Sequence, residues 1–486
     1  MGRQFPVGFL WGTAISSFQA EMGLGEPSDK TDWWVWVNDS DNIQKKIVSG
    51  DSPLDGPGFW ELYAEDIRIL RKELGNNSIR LSIDWGRIFP DPTDDIHVSV
   101  KLDKYGVVYD VEVTEETLRE LDKRAKKTSI IRYREIFDAA KNQCITVMLT
   151  LFHWPIPLWL HDPIKCKTDI EHAEKKGWLD NKTVVEFAKF AAYVAFKFGD
   201  LVDFYCTINE PRIISEHGYL SAWSEFPPGQ YDPDLYLIVL RNTSIAHGLA
   251  YEQIKKWDKT SISYLGPCTV GLVPVLQVFA PYDPEDQRDI EAAKLIDYAF
   301  NEWGLNAVFH GDFDMNLNYI IESEEQKPYT VKGCDFLGVN YYSRWKIKYV
   351  KKSEKPLANF KLMPCEGDCT DFGWEIYPEG IKIVLNWAYK RYRRPLYITE
   401  NGIADEKGDT RNRYLLAHIE KLHQTIYEDE VPVRGYYHWT LMDNFEWSDG
   451  YRIHFGLFNV DRETKKRTPT KTVEVYRKIA VSNSLP

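Results

Sequence analysis

Residues 201–211 read LVDFYCTINEP, and this segment determines how the rest of the sequence is interpreted. Its apolar first part predicts a buried β-strand. Pro211 ends that strand, because proline has no N–H group to donate to a neighbouring strand. Asn209 and Glu210 therefore lie where the strand ends. Charged side chains are seldom buried without a reason, so we interpret this amide and carboxylate as functional residues.

The same pattern recurs once, in residues 396–402, LYITENG. A short predicted strand is followed there by Glu400 and then by turn residues. Either glutamate alone could be a solvated residue at a strand end. As a pair, Glu210 and Glu400 match what cleavage of a glycosidic bond requires, which is one carboxyl group as acid and one as nucleophile or base.

Eight apolar, β-rich segments alternate with segments of helical periodicity along the 486 residues. The strands are predicted to start near Phe9, Ser78, Ile145, Phe204, Ser261, Phe336, Leu396 and Val433. Two of the predicted helices, residues 59–74 and 183–198, are each followed by glycine, a common helix terminator. Eight strand–helix units without a break in composition predict the α/β class and a (β/α)8 TIM barrel, forming a single domain over residues 1–486.

One insertion, residues 91–127, follows the second predicted strand. Residues 97–113 alternate apolar and polar side chains on both sides of Lys104, Tyr105 and Gly106, which predicts a β-hairpin. Thr114 then starts a short helix with acidic residues in its first turn and basic residues in its last, an order that suits the helix dipole. The insertion is a candidate subunit contact or cleft wall, although most such insertions have no special role.

The carboxyl ends of the strands carry the chemistry in barrels of this type. In this sequence, most predicted strand ends carry polar or aromatic side chains. These are Gln19, Arg80, His153, Trp154, Asn209, Glu210, Asn340, Tyr341, Tyr342, Glu400, His438 and Trp439. The fifth strand, placed between Ile262 and Phe279, offers nothing distinctive. Such a set of side chains predicts a surface that binds a polyhydroxyl compound.

Composition and charge restrict the partners. The net charge of -13 disfavours nucleic acid and anionic membranes, and makes a strongly anionic substrate unfavourable. The chain contains 17 Trp, 28 Tyr and 23 Phe, most of which must fill the core, although a surplus of aromatic rings also suits stacking on sugars. No segment approaches the roughly 18 apolar residues of a membrane span. Without a signal-peptide pattern either, the sequence predicts a cytoplasmic protein.

The seven cysteines lie mostly in apolar runs, for instance Cys144 and Cys206, and are expected to be small core residues in a reducing compartment. Cys365 and Cys369 are close enough in sequence to pair in a loop, and both possibilities stay open at this point. A zinc site would need a second such pair. We therefore expect no metal and no cofactor.

The motifs together resemble glycoside hydrolase family 1. TINEP at residues 207–211 and ITENG at 398–402 look like the two signatures of that family. FLWGTA at residues 9–14 is similar to its N-terminal motif, and WTLMDNFEW at 439–447 is similar to its C-terminal sugar-binding loop. The resemblance covers essentially the whole chain. The insertion and the loop at residues 159–163 look like the archaeal β-glycosidase branch.

The resemblance implies roles for individual residues. Glu210 would be the general acid/base and Glu400 the nucleophile of a retaining enzyme, with Asn209 binding the sugar 2-hydroxyl. Arg80 would keep Glu400 ionised, and Tyr342 would orient it. The other residues expected to bind substrate are Gln19, His153, Trp154, Asn340, Trp439, Glu446, Trp447 and Phe455. In contrast, Glu216, His161, His217 and His418 are interpreted as structural.

Glu446 bears on the substrate. The resemblance implies that members acting on 6-phosphosugars lack this carboxylate, and a carboxylate in a chain of net charge -13 would repel phosphate. Small neutral β-glycosides and oligosaccharides are therefore expected, with terminal non-reducing glucosides and galactosides both hydrolysed. A carboxylate accepts a hydrogen bond from a 4-hydroxyl group in either orientation. Transfer of the glycosyl group to other hydroxyl acceptors is expected as a side activity.

Three alternatives compete with this prediction. The nearest is a β-mannosidase of the same family. A non-catalytic sugar-binding relative would keep the barrel and pocket, but such relatives usually lose a glutamate. A metal-dependent barrel enzyme would need a cluster of histidines and carboxylates, which is not evident. The resemblance also implies a homo-oligomer, a tetramer in many archaeal relatives.

Overall fold

The computed structural model describes residues 3–220, 225–260 and 268–486. The strands are β1 (Arg3–Gln4), β2 (Leu10–Ala14), β3 (Ser78–Ser82), β4 (Ser99–Leu102), β5 (Val108–Glu112), β6 (Thr146–Phe152), β7 (Phe204–Asn209), β8 (Thr269–Val273), β9 (Val278–Pro281), β10 (Phe336–Asn340), β11 (Arg344–Tyr349), β12 (Phe360–Met363), β13 (Leu396–Asn401), β14 (Val433–Trp439), β15 (Phe458–Val460), β16 (Arg467–Pro469) and β17 (Ser484–Leu485).

The α-helices are α1 (Ser17–Ala20), α2 (Asp32–Asn38), α3 (Ser40–Gln44), α4 (Phe59–Lys72), α5 (Trp85–Ile88), α6 (Glu115–Arg124), α7 (Lys127–Asn142), α8 (Pro163–Asp169), α9 (Asn181–Phe198), α10 (Pro211–Tyr219), α11 (Pro233–Trp257), α12 (Gln287–Asp297), α13 (Trp303–His310), α14 (Glu379–Tyr392), α15 (Arg411–Tyr427) and α16 (Thr472–Ser482). A π-helical turn, Tyr298–Glu302, joins α12 to α13.

Eight parallel strands close into a barrel in the order β2, β3, β6, β7, β8, β10, β13, β14 and back to β2. The predicted (β/α)8 barrel is therefore confirmed. Seven of the predicted strand starts fall within one residue of a barrel strand. The remaining start, Ser261, lies outside the described residues, and the fifth barrel strand begins at Thr269.

The two faces of the barrel strands have different environments, because successive side chains of a strand point to opposite sides. One set belongs to the large apolar cluster that includes the outer helices, for example Val147, Leu149 and Leu151 of β6. The other set belongs to a separate, smaller cluster that includes Met148 of β6 and Cys206 of β7. The smaller cluster fills the barrel interior, so side chains at the carboxyl ends of the strands rest against a packed core.

The insertion forms the predicted hairpin and helix. Strand β4 pairs with β5 in antiparallel register. Thr114 caps α6, which has an acidic first turn and a basic last turn. The hairpin end packs on the outer helix α11, since Gln253 Nε2 donates to the Val111 carbonyl oxygen at 2.8 Å. A role in subunit contact or in the cleft stays a prediction.

The cysteines divide into three groups. Cys365 and Cys369 form a disulfide in the loop after β12. The thiols of Cys166, Cys206, Cys268 and Cys334 are buried, as expected. Cys144 is exposed, contrary to the prediction, because it lies in the turn between α7 and β6 with a φ of 55°.

None of the helices in the described part of the chain is long and apolar enough to cross a membrane.

Candidate active site

The barrel brings the two glutamates to its carboxyl edge on separate strands. Glu400 is in β13, and Glu210 directly follows β7. The Glu210 N–H donates to the carbonyl oxygen of Val273 in β8 at 2.7 Å. Its φ of 46° lies in the left-handed region and turns the chain out of the strand before Pro211 begins α10. Both side chains are buried, with 4% of Glu400 and 6% of Glu210 exposed. A positive φ at a non-glycine residue, as at Glu210, is a form of backbone strain that is concentrated at functional sites.

Glu400 is held by a cation and a phenol. Arg80 forms an ion pair with Oε1 of Glu400, and the Tyr342 hydroxyl donates to Oε2 at 2.6 Å. The guanidinium is fixed in turn by Thr150 Oγ1 at 3.1 Å and by Asn209 Oδ1 at 2.6 Å. A buried carboxylate with a paired guanidinium and a hydroxyl donor is a fixed, desolvated anion suited to nucleophilic attack.

Glu210 has a different environment. Its Oε1 accepts a hydrogen bond from Asn340 Nδ2 at 2.7 Å. Burial raises the pKa of Glu210 to about 8, and the negative charge of Glu400 adds to this effect. The hydrogen bond from Asn340 and the positive charges of Arg212 and Arg80 oppose the rise. Glu210 is therefore protonated at neutral pH and can donate a proton.

Two asparagines connect the surroundings of the glutamates. Asn209 Oδ1 accepts from Asn340 Nδ2 at 3.1 Å as well as from Arg80. Asn340 Oδ1 accepts from Thr399 Oγ1 at 2.7 Å, which determines the orientation of its amide. One network therefore joins the two carboxyl groups, from Glu400 through Arg80, Asn209 and Asn340 to Glu210.

A second set of residues lies on the side of β14, β2 and β6. Gln19 Nε2 donates to Glu446 Oε2 at 3.1 Å, and Ser16 Oγ donates to Gln19 Oε1 at 2.8 Å. Burial, together with the negative charges of Asp449 and Glu400, raises the pKa of Glu446 well above its usual value. The pair of Gln19 and Glu446 offers an amide and a carboxyl group to adjacent sugar hydroxyls.

Aromatic rings complete this side of the pocket. The His153 ring stacks on Trp439 at 5.9 Å and on Trp447 at 6.2 Å between centroids. Burial and the charge of Arg80 lower the pKa of His153 well below its usual value. The neutral His153 accepts a hydrogen bond at Nε2 from Asn209 Nδ2 at 3.2 Å. Trp154 packs behind Trp447 at 4.5 Å and donates its indole N–H to the Asn209 carbonyl oxygen at 3.2 Å.

Gly402 explains how the end of β13 can approach Trp439. A Cβ atom at residue 402 would overlap the carbonyl oxygen of Trp439. Only glycine allows the chain after Glu400 to pass this close to the end of β14.

The ring of Phe455 lies 6.2 Å from the ring of Tyr342. The rings of Trp374 and Phe372 pack against Phe455 at 6.0 and 6.3 Å, and Trp374 also contacts Tyr342 at 5.3 Å. The sequence prediction missed Trp374 and Phe372. They belong to the loop after the disulfide, where the only signal was a pair of aromatic residues on either side of a glycine.

Gln277 was also missed, because the predicted fifth strand offered nothing distinctive at its end. In the structure it follows β8 and accepts a hydrogen bond from Arg212 at 2.9 Å. No pattern in the sequence distinguishes this glutamine from a surface residue.

Two residues at predicted strand ends do not join the pocket. The Tyr341 hydroxyl donates to the Tyr377 carbonyl oxygen at 2.6 Å, and His438 packs beside Tyr476. Each is adjacent in sequence to a pocket residue, Tyr342 or Trp439. Alternation along an extended chain directs neighbouring side chains to opposite faces, so these two point away from the site.

The whole chain is similar to known proteins. The model of the family described as Glycosyl hydrolase family 1 matches residues 1–118 and 124–485. A β-galactosidase from Pyrococcus woesei is 40% identical, over 99% of this chain and 98% of that protein. The crystal structure of the β-glycosidase from Thermosphaera aggregans matches with a TM-score of 0.89 at 35% identity, over 99% and 98% of the two chains. The crystal structure of a β-glucosidase from Pyrococcus furiosus matches with a TM-score of 0.86 at 37% identity, over 99% and 97%.

Proposed function

Because this chain belongs to glycosyl hydrolase family 1 and is a glycoside hydrolase, we propose that it is an exo-acting, retaining β-glycosidase. It releases terminal β-linked glucose or galactose from the non-reducing ends of neutral glycosides and oligosaccharides. Glu400 is the nucleophile, and Glu210 is the general acid/base.

The observation that carries this proposal is the contrast between the two carboxyl groups. Glu400 is paired with Arg80 and receives the Tyr342 hydroxyl, whereas Glu210 receives a neutral amide and has a pKa raised to about 8 by burial. Glu400 therefore has the partners of a nucleophilic carboxylate, whereas Glu210 holds its proton as an acid. Retaining hydrolysis requires this division of roles.

In the first step, the Glu400 carboxylate attacks the anomeric carbon while the bond to the leaving oxygen breaks. Glu210 gives its proton to that oxygen, and a glycosyl ester forms on Glu400. In the second step, water attacks the anomeric carbon and Glu210 takes up a proton from it. Glu400 leaves as a carboxylate, and the product keeps the β-configuration.

The charge of Glu400 couples these two steps. While Glu400 is ionised, its negative charge helps to keep Glu210 protonated. Esterification removes that charge, which lowers the pKa of Glu210 and frees it to act as a base. An acceptor hydroxyl that replaces water gives transfer to a new glycoside, the expected side activity.

The pocket side formed by Gln19, Glu446 and Trp439 supports the substrate assignment. Gln19 and Glu446 would bind adjacent hydroxyls of the terminal sugar, and Trp439 would stack on its apolar face. The net charge of -13 disfavours an added phosphate. Glucosides and galactosides would differ by about 1–3 kcal/mol in transition-state binding, because only the orientation of one hydroxyl changes.

Proton NMR of the first product tests the stereochemical course. The β-anomer should form first and then mutarotate. An α-anomer as first product would contradict retention. Stepwise loss of single glucose units from cello-oligosaccharides would support exo action, whereas internal fragments would contradict it.

A kcat/KM comparison on 4-nitrophenyl β-glucoside, galactoside, mannoside and fucoside tests the substrate. Glucoside and galactoside should be the two best substrates. A preference for mannoside would favour the β-mannosidase alternative. The single-domain organisation over residues 1–486 and the homotetramer implied by the family resemblance stay predictions, and chromatography with light scattering tests the latter.

A further inference from the structure

Arg212 is a buried cation that the reaction described above does not use. It lies two residues after Glu210, in the first turn of α10, with 5% of the residue exposed. Burying a guanidinium is unfavourable unless it is paired and hydrogen-bonded. Its position next to the acid/base therefore calls for an explanation from its contacts.

Three contacts hold the Arg212 side chain. Nη1 forms an ion pair with Oε2 of Glu216, one turn further along α10. Nη2 donates to Gln277 Oε1 at 2.9 Å. The guanidinium carbon lies 4.9 Å from the centroid of the Phe300 ring, a cation–π distance. These contacts hold the guanidinium through both Nη atoms and its face, whereas Nε has no hydrogen-bond partner in the described part of the chain.

Gln277 is itself held on both sides of its backbone. Its N–H donates to Asn301 Oδ1 at 3.1 Å, and its carbonyl oxygen accepts from Asn301 Nδ2 at 2.7 Å. Asn301 lies in the π-helical turn, and its amide also donates to Asp297 at 2.7 Å. Irregular turns of this kind are frequent at functional sites. The π-helical turn therefore fixes the backbone of Gln277, whose side-chain oxygen accepts the hydrogen bond from Arg212.

The segment that ends at Gln277 also contacts the acid/base directly. Val273 at its start accepts the Glu210 N–H at 2.7 Å. In the middle of the segment, Leu276 N–H donates to the Asn340 carbonyl oxygen at 3.0 Å, and Asn340 donates its side-chain amide to Glu210. Through its hydrogen bond to Gln277, Arg212 therefore connects α10 to residues 273–277. The same segment positions Glu210 and its hydrogen-bond donor Asn340.

The charges around Glu210 come from several elements. Glu210 interacts electrostatically with five charged or titratable groups. These are Glu400 of β13, Arg80 of β3, Tyr342 after β10, Glu446 after β14 and Arg212 of α10. His153 after β6 is neutral. Arg80 is already paired with Glu400, so Arg212, two residues after Glu210, is the second cation whose charge acts on Glu210.

We propose that Arg212 is a positioning residue that favours the ionised form of Glu210 and so promotes the second, water-consuming step. This inference rests on the proposed function, since it requires Glu210 to act as base after Glu400 has been esterified. Glu216 moderates the effect by neutralising part of the charge of Arg212. Gln277 keeps the guanidinium in place.

The test compares Arg212→Met with Arg212→Lys. In Arg212→Met, the basic limb of the kcat/KM profile should move to higher pH by about half a unit, because Glu210 holds its proton more tightly. On 2,4-dinitrophenyl glucoside, where hydrolysis of the intermediate limits turnover, the acidic limb of the kcat profile should also move to higher pH by about half a unit, which is about a threefold fall in kcat at pH values below that limb. Arg212→Lys keeps the charge and should restore both values towards those of the unaltered enzyme. A basic limb that stays in place in a folded Arg212→Met would overturn the proposal.

Glu216→Gln supplies a test of opposite sign that does not depend on removing Arg212. Without its partner carboxylate, Arg212 should favour ionised Glu210 more strongly, so the basic limb should move to lower pH. A shift in the same direction as that of Arg212→Met, or no shift, would contradict the electrostatic role.

Two control variants distinguish a wrong role for Arg212 from a wrong proposed function. Lys189→Met removes a buried cation that is paired with Glu186 on α9 at 2.7 Å, so it matches Arg212→Met in kind, and it should leave the pH profile unchanged. Glu210→Ala should abolish the basic limb. A basic limb that survives in Glu210→Ala would refute the proposed function itself, whereas its loss with no effect of Arg212→Met would refute only the role of Arg212.

Discussion

The surroundings of Glu400 and Glu210 differ far more than the strand ends that carry them. Both glutamates sit at the carboxyl edge of the barrel, both are buried, and both follow a β-rich run. Glu400 is paired with Arg80 and bonded to Tyr342, whereas Glu210 faces the neutral amide of Asn340. A strand-end motif thus places a carboxyl group at the barrel edge, while residues from other strands decide which charges and hydrogen-bond donors surround it.

The backbone adds to this contrast. Glu400 remains inside β13, in register with Asn340 of β10. Glu210 has left its strand, with a φ of 46°. The nucleophile thus belongs to the rigid barrel wall. The acid/base stands at a turn into α10, where Arg212 and the segment after β8 take over its support.

The largest expected effect comes from removing the anion. Glu400→Gly should lower kcat by about 10⁴-fold or more, because no group is left to form the intermediate. Azide or formate should restore turnover of an activated aryl β-glycoside and, with azide, give an α-linked product. A β-linked azide adduct would show that Glu400 is not the nucleophile.

The next effect depends on the leaving group. Glu210→Ala should lower kcat/KM by about 10²–10⁴-fold for alkyl glycosides, which need a proton on the leaving oxygen. Formation of the intermediate from 2,4-dinitrophenyl glycosides should be nearly unchanged, since that leaving group needs no proton. Pre-steady-state release of dinitrophenol measures this step. Equal losses on both substrate types would assign the acid to another residue.

A smaller effect concerns pH. The kcat/KM of the unaltered enzyme requires protonated Glu210 and should fall as the pH rises through about 8. Asn340→Ala removes a hydrogen bond that stabilises the ionised form, so the pKa of Glu210 should rise further and the basic limb should move to higher pH. A shift to lower pH would mean that Asn340 stabilises the protonated form, reversing the sign assigned here.

The smallest effect tests the pocket wall that the sequence prediction missed. Trp374→Ala should raise KM for aryl and oligosaccharide substrates several-fold, a loss of about 1 kcal/mol of ring contact. Methyl β-glucoside, which lacks a ring in the leaving group, is the control and should be affected less. Equal changes on both substrates would place Trp374 as a support for Tyr342 alone.

Residues that the sequence predicted correctly lie in short, recognisable sequence patterns. The residues that it missed or misplaced do not. Glu210 and Glu400 were found because each lies at the end of a short apolar run that is visible in a few residues of sequence. Tyr341 and His438 were expected in the polar cluster because they lie at strand ends, but alternation along the chain turns each away from the pocket residue beside it. Trp374 and Gln277 lie in loops after β12 and β8, where no periodicity marks a direction.

Local sequence was sufficient for the eight strands, most of their starting residues and the two carboxyl groups at the barrel edge. These features follow from the periodicity of apolar residues and from the residues that end each strand, both visible within short stretches of sequence. The protonation states followed from contacts between distant parts of the chain, since Arg80 and Glu400 are 320 residues apart and Asn340 and Glu210 are 130 apart. Charge interactions and burial depend on distance in space, and closure of the barrel sets those distances.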